Sequence, residues 1–193
     1  MRGASLVAFI VMLVVALVGA PSAVAQDTGG MSYESAKERE ARKAKRLRLR
    51  LVQGPTATIL PNGLAAAPTG APPQVHAAIQ AANRIVGKPY RYGGGHAKVE
   101  DAGYDCSGTV SYALLGARLL KAPLDSSSFM RWGERGPGAW ITVYTNPGHA
   151  FAVIAGLRLD TSAAGDPSGL KGPRWRRTLR STRGYRARHP VGL

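Results

Sequence analysis

The sequence predicts an α+β domain, on three observations. Apolar residues recur at helical spacing in two places: Val75, Ala78, Ile79, Ala82, Ile85 and Val86, then Val110, Ala113, Leu114, Ala117 and Leu120. Beyond the second repeat come short strand-like runs at 140–144, 149–154 and 157–161, the last two joined by Ala155-Gly156. Helices followed by a group of strands read as helices packed on an antiparallel sheet.

Taken in chain order, residues 1–25 have the layout of a secretory signal peptide. Arg2 precedes an uncharged apolar run, then Pro21 and Ala23-Val24-Ala25 stand ahead of Gln26. This predicts export to the cell envelope or beyond. An uncleaved anchor is the other reading, because the run approaches the ~18 residues that a spanning helix needs.

Residues 26–53 form a basic segment. Its Ala, Leu, Glu, Lys and Arg content suits a helix over 32–53, with Glu38 and Arg42 as a favourable pair. Apolar content is thin until Leu47, Leu49, Leu51 and Val52, so such a helix fills no core and belongs outside the main domain. Residues 54–72 mix Pro, Gly, Ala and Thr without period and read as an extended or disordered linker.

The domain proper is expected over 73–193. Gly87-Lys88-Pro89 stops its first helix, and an irregular Gly-rich run from Tyr90 to Asp105 leads to the second. A long turn-rich stretch, PLDSSSFMRWGERGPGAW, separates the helices from the strands, and 185–189 is the last strand candidate.

The formal charge of +15 sits mainly in two blocks, Lys37 to Arg50 and Lys171 to Arg188. Such blocks predict attraction to a polyanion, either an anionic wall polymer or anionic lipid. Nucleic acid is not expected as a partner, given export and the scarcity of aromatic side chains in the first block. A solvated charged face with no dedicated partner is the plainer alternative.

The single cysteine, Cys106, excludes an intramolecular disulfide. It is either a small buried hydrophobe or a reactive thiol, and its surroundings favour the second. In Asp105-Cys106-Ser107-Gly108, Asp105 suits an N-cap, which puts Cys106 in the first turn of a helix. There the dipole and the unpaired amides favour a thiolate, provided that capping takes up the Asp105 charge. The same first-turn amides, with Ser107 beside the thiol, are candidates to hold an oxyanion.

A thiolate nucleophile needs a base and a group to orient that base. Of the four histidines, His76, His96, His149 and His189, only His149 opens an apolar strand and is held rigidly enough to aim its ring. The strand after Ala155-Gly156 brings Asp160 and Thr161 back alongside it. Asp160 is then the orienting acid, and Thr161 is the alternative if the turn differs by one residue.

The runs KPYRYGGG, GYDCSGTVSYAL and PGHAFAVIAG resemble the three blocks of the NlpC/P60 family of cell-wall cysteine peptidases, over roughly residues 75–162. The resemblance implies a papain-like core in which the helix bearing the nucleophile packs on an antiparallel sheet. It further implies Cys106 as nucleophile, His149 as general base, and Tyr90 beside the nucleophile as a substrate or oxyanion contact. The implied reaction is hydrolysis of an amide in the peptide stem of peptidoglycan.

The third polar position of that family is usually His, Asn or Gln, whereas Asp160 or Thr161 falls there in this chain. The stretch RWGERGPGAWITVYTNPGH also replaces the family's short Gly-Asp block.

The sequence therefore predicts an exported cysteine hydrolase acting on peptidoglycan. A catalytically silent wall- or membrane-binding module on the same fold is the alternative. No cofactor is needed by this chemistry, and no metal site is expected from one Cys and unclustered His. Gly93-Gly94-Gly95 lack the Lys-Ser/Thr of a phosphate loop and read as a place of close backbone approach.

Overall fold

In the computed structural model, which describes residues 35–39, 51–177 and 179–193, both apolar repeats are helices. They are α1, Pro73–Ile85, and α2, Cys106–Gly116. Pro73 occupies the first turn of α1, where its missing N–H costs nothing. Val75, Ala78, Ile79 and Ala82 of α1 meet Val110, Ala113 and Leu114 of α2 in one buried cluster. The two helices touch closely: a Cβ on Gly116 would overlap that of Ala81.

The sheet beneath them has six strands in the order β4-β9-β5-β6-β7-β8, every neighbour antiparallel. These are β4 (Glu134–Arg135), β5 (Ile141–Asn146), β6 (His149–Ile154), β7 (Leu157–Asp160), β8 (Arg174–Arg176) and β9 (Arg186–His189). A one-turn helix, α3 (Ser126–Phe129), precedes them.

Val143, Ala152, Leu159 and Trp175 are consecutive cross-strand partners, all buried, so one sheet face is apolar and meets the helices. The protein is thus an α+β domain with the Cys106 helix on an antiparallel sheet, as expected. The strand bounds agree closely with the sequence reading at β6, and within one or two residues at β5, β7 and β9.

Two expectations are corrected. Residues 36–39 are helical, but Leu51–Val52 is a strand, β1, paired parallel with β3 (Ala65–Pro68). Positions 40–50 of the expected helix and the whole expected signal peptide lie outside the described residues.

The stretch 54–72, read as an extended or disordered linker, is instead packed. β2 (Thr58–Ile59) and β3 pair antiparallel, and Ala57, Ala65, Ala66, Ala67 and Ala71 are buried. The Leu60–Leu64 connection turns at Asn62-Gly63, with Gly63 at a positive φ of 77°. Alanine is small enough to escape an apolar pattern, yet it lets a strand lie close against α1.

Asn83 makes that approach specific. Its amide bonds both backbone groups of Ala65 at 2.9 and 2.8 Å and accepts the Trp175 indole N–H at 2.8 Å. One buried side chain thereby ties α1 to β3 and to β8. Asn83→Ala leaves the indole N–H and two Ala65 groups unpaired, and we expect a loss of roughly 2–4 kcal/mol. Urea denaturation of the full chain measures it, with Asn83→Asp, which keeps the acceptor, recovering part of the loss.

Candidate active site

Asp105 caps α2 from an extended backbone, its Oδ1 accepting the Gly108 amide at 2.7 Å. Its other oxygen accepts the Gly93 amide at 3.0 Å, while His96 Nε2, at 3.0 Å, and the Ser107 hydroxyl, at 3.2 Å, complete its shell. The charge beside Cys106 is therefore taken up, as a first-turn thiolate requires. The glycine run supplies the proximity: a Cβ on Gly108 would collide with the Gly94 carbonyl, and one on Gly94 with that of Gly103.

Cys106 lies in a cleft of about 360 Å³ lined by Tyr90, Tyr92, His96, Ser126 and Gly148, among others. Its Sγ is 3.7 Å from Ser126 Oγ. The Thr145 hydroxyl donates to the Ser126 carbonyl at 2.5 Å, which fastens α3 to β5 and holds Ser126 at the thiol.

Burial pushes the Cys106 thiol up. Hydrogen bonds from His149, the Ala150 amide and Ser126, with the charge of the imidazole, outweigh that push and leave the pKa below the ordinary thiol value.

His149 is placed by two turns. Asn146 Oδ1 accepts the amides of Gly148 and His149, each at 2.9 Å, and this fixes the β5–β6 connection. At the β6–β7 connection Ala155 and Gly156 both have positive φ, 45° and 82°, the two-residue hairpin turn that matches strand twist. The register that follows pairs Ala152 with Leu159 and Val153 with Arg158, and continuing it sets Asp160 across from Phe151, diagonal to His149.

Asp160 Oδ1 is 2.9 Å from His149 Nε2, which leaves Nδ1 as the ring nitrogen for the thiol. Thr161 follows on the opposite face of the strand, is buried, and is not part of this arrangement.

Burial works against a charged imidazole, yet the bonds to Asp160 and to Cys106 hold the His149 pKa up at about 9, from an ordinary 6.5. For Asp160, burial pushes up, whereas His149, the Ser162 amide at 2.8 Å and Arg158 keep the carboxyl below its usual range. The imidazole is bordered by rings: Phe151 at 6.3 Å and Tyr185 at 6.4 Å between centroids.

The structure thus gathers Cys106, His149 and Asp160, with Tyr90 on the cleft wall. Burial, then the nearby negative charges of Cys106 and Asp105, push the Tyr90 phenol up. Ser107 is buried, and its hydroxyl is spent on Asp105 and on His96, at 3.2 Å each, so its amide is the group left for an oxyanion.

Sequence reasoning missed His96, which sits on Asp105, as well as Ser126, Arg158 and Arg180. Only Arg158 had a usable signal, since it precedes Asp160 by two on a strand and shares its face. Trp132, Trp140 and Trp175 are buried or half-buried and do not line the cleft. Among the described residues no group of three or more His, Cys, Asp or Glu is arranged to hold a metal ion.

Cys106, His149 and Asp160 thus stand in series as a thiol, an imidazole and a buried carboxylate. No protein-family model matches the chain, and no curated protein does. Among solved structures the chain is similar to the peptidoglycan hydrolase RipB from Mycobacterium tuberculosis, at 19% identity, over 88% of this chain and 93% of that one, with a TM-score of 0.47.

Proposed function

We propose that this protein is an exported cysteine hydrolase that cleaves amide bonds in the peptide stems of peptidoglycan. The observation that supports it best is the His149 ring held between the Cys106 thiol and a buried carboxylate 2.9 Å away. The substrate class rests on the KPYRYGGG, GYDCSG and PGHAFAVIAG blocks and on the signal-like first residues. The open, polar cleft around Cys106 suits an extended peptide rather than an enclosed small molecule.

In the resting site the proton sits on His149 and the charge on Cys106. Sγ adds to the amide carbonyl, whose π pair moves to oxygen and is received by first-turn amides of α2, with Tyr90 at hand. Collapse breaks the C–N bond as the imidazolium proton passes to the leaving nitrogen. Neutral His149 then takes a proton from water, hydroxide adds to the thioester, and expulsion of the thiolate restores the ion pair. Asp160 holds the ring in one tautomer throughout.

Retention on anionic wall polymer is part of the same proposal. On β4 and β9, Arg135 stands directly opposite Arg188, a like-charged pair that weakens a sheet. With Arg186 these side chains line a concavity of about 430 Å³, and among the described residues no carboxylate pairs with any of the three. A repeating anion is what such a surface fits.

Isolated sacculi incubated with the full chain should release stem-peptide fragments detectable by mass spectrometry, and Cys106→Ala should release none. Release by Cys106→Ala refutes the nucleophile, and no release by either protein turns the reading to a silent binding module.

The pH profile of kcat/KM should fall on the alkaline side near 9, where His149 loses its proton. Asp160→Asn removes the group that raises the imidazole, so that limb should move down toward 6.5; an unmoved limb means Asp160 does not act on His149. Retention on sacculi should weaken steeply as salt passes about 0.15 M, and faster for wild type than for an Arg135→Gln, Arg186→Gln double variant. Salt-independent retention rules out charge as the cause.

A further inference from the structure

Resting on the reading of Cys106, His149 and Asp160 as the catalytic set, we infer that Arg180, brought by the segment after β8, is a positioning residue that holds Asp160 in place behind His149. The stretch from Lys171 to Arg188 reads from sequence as an undivided basic block, but the fold splits it. Arg177, Arg183 and Arg186 face solvent, whereas Arg180 turns back across the sheet face that bears His149 and Asp160.

Its guanidinium reaches Asp160 Oδ2 at 3.3 Å, while Oδ1 is committed to His149 and to the Ser162 amide. The same guanidinium lies over the rings of Phe151 and Tyr185, 5.4 and 5.5 Å from their centroids, and those rings border the imidazole. One cation therefore fixes both the carboxylate and the aromatic wall of the base.

A second cation gives Arg180 its importance. Arg158 is 0% exposed, its Nε stands 3.6 Å from Asp160 Oδ2, and none of its guanidinium nitrogens has a hydrogen-bond partner. The other charged groups on this face are Arg174, directly across from Asp160 on β8 with its Nε on the Lys171 carbonyl, Arg176, occupied by Asp166, and the Cys106–His149 pair itself. With Arg180 gone, the unpartnered Arg158 is, among the described residues, the only cation left within ion-pair distance of Oδ2, and only the Oδ1 bonds to His149 and Ser162 oppose its drawing the carboxylate away from the imidazole.

The test uses the full chain and a readout that needs no substrate: the rate of Cys106 alkylation by iodoacetamide against pH, each variant normalised to its own plateau. Removing the cation on Asp160 weakens the carboxylate's hold on the imidazolium, and through it the imidazolium's hold on the thiolate, so the acid limb must move to higher pH. Arg180→Met keeps an apolar stem over the rings without the charge. It should lose about tenfold in normalised rate at about pH 5, a shift of roughly one unit in the limb. Arg180→Lys, which restores a charge, should recover at least half of that shift.

A Met profile that superimposes on wild type overturns the inference, as does a Lys variant no closer to wild type than Met. Asp160→Asn separates this from failure of the underlying reading. If Asp160→Asn moves the limb and Arg180→Met does not, only the role of Arg180 falls. If neither moves it, the orienting role of Asp160 falls as well.

Discussion

A carboxylate at 1% exposure must have every oxygen engaged, and the arrangement around Asp160 follows from that requirement. Its partners come from three places: His149 on β6, Ser162 just beyond β7, and Arg180 in the segment after β8. Ser162 is a local partner, but neither His149 nor Arg180 is near Asp160 unless the β6–β7 turn has two residues and the chain returns over the sheet after β8. The strand register, the turn at Ala155-Gly156 and the course of the chain toward β9 are thus tied to one group. If the register slipped by one residue, Asp160 would face the core and Thr161 the imidazole.

Asp105 applies the same constraint to the other half of the proposed catalytic pair. It is buried, and it draws together the cap of α2, the Gly93 amide, His96 and Ser107. The Gly-rich run, which looks flexible in sequence, is consequently bound to the helix start at Gly93 and again where Gly94 O accepts the Asp105 amide at 3.2 Å. One buried carboxylate shapes the ground under the thiol and the other stands behind the imidazole. Cys106 and His149 meet because helix and sheet pack with these two polar centres at the rim of the apolar layer.

What was legible in the sequence was what local chemistry encodes. Asp105 as a cap, Cys106 in the first turn, His149 opening a strand and Ala155-Gly156 as a tight turn each depend on neighbours within a few residues, and all four appear as expected. The 54–72 stretch was misread because its burial depends on a distant asparagine: Ala65 is held by Asn83, and Asn83 by Trp175. Its one local signal, Asn62-Gly63, lacked flanking strands of recognisable apolar pattern. His96 and Arg180 were passed over for a similar reason, since their partners Asp105 and Asp160 are nine and twenty residues away across mostly irregular chain.

The strongly positive charge is better understood as two populations than as one property. Arg158, Arg176 and Arg180 are buried or nearly so and converge on Asp160 and Asp166, so they belong to the fold and to the proposed site. Arg135, Arg174, Arg177, Arg183 and Arg186 are exposed or half-exposed and are free to meet a polyanion. Screening by salt acts on the second population and hardly on the first, because buried pairs are shielded from ions in solution. The proposed wall attachment and the proposed thiol chemistry should consequently respond separately to ionic strength, although the same basic stretch of the sequence contributes to both.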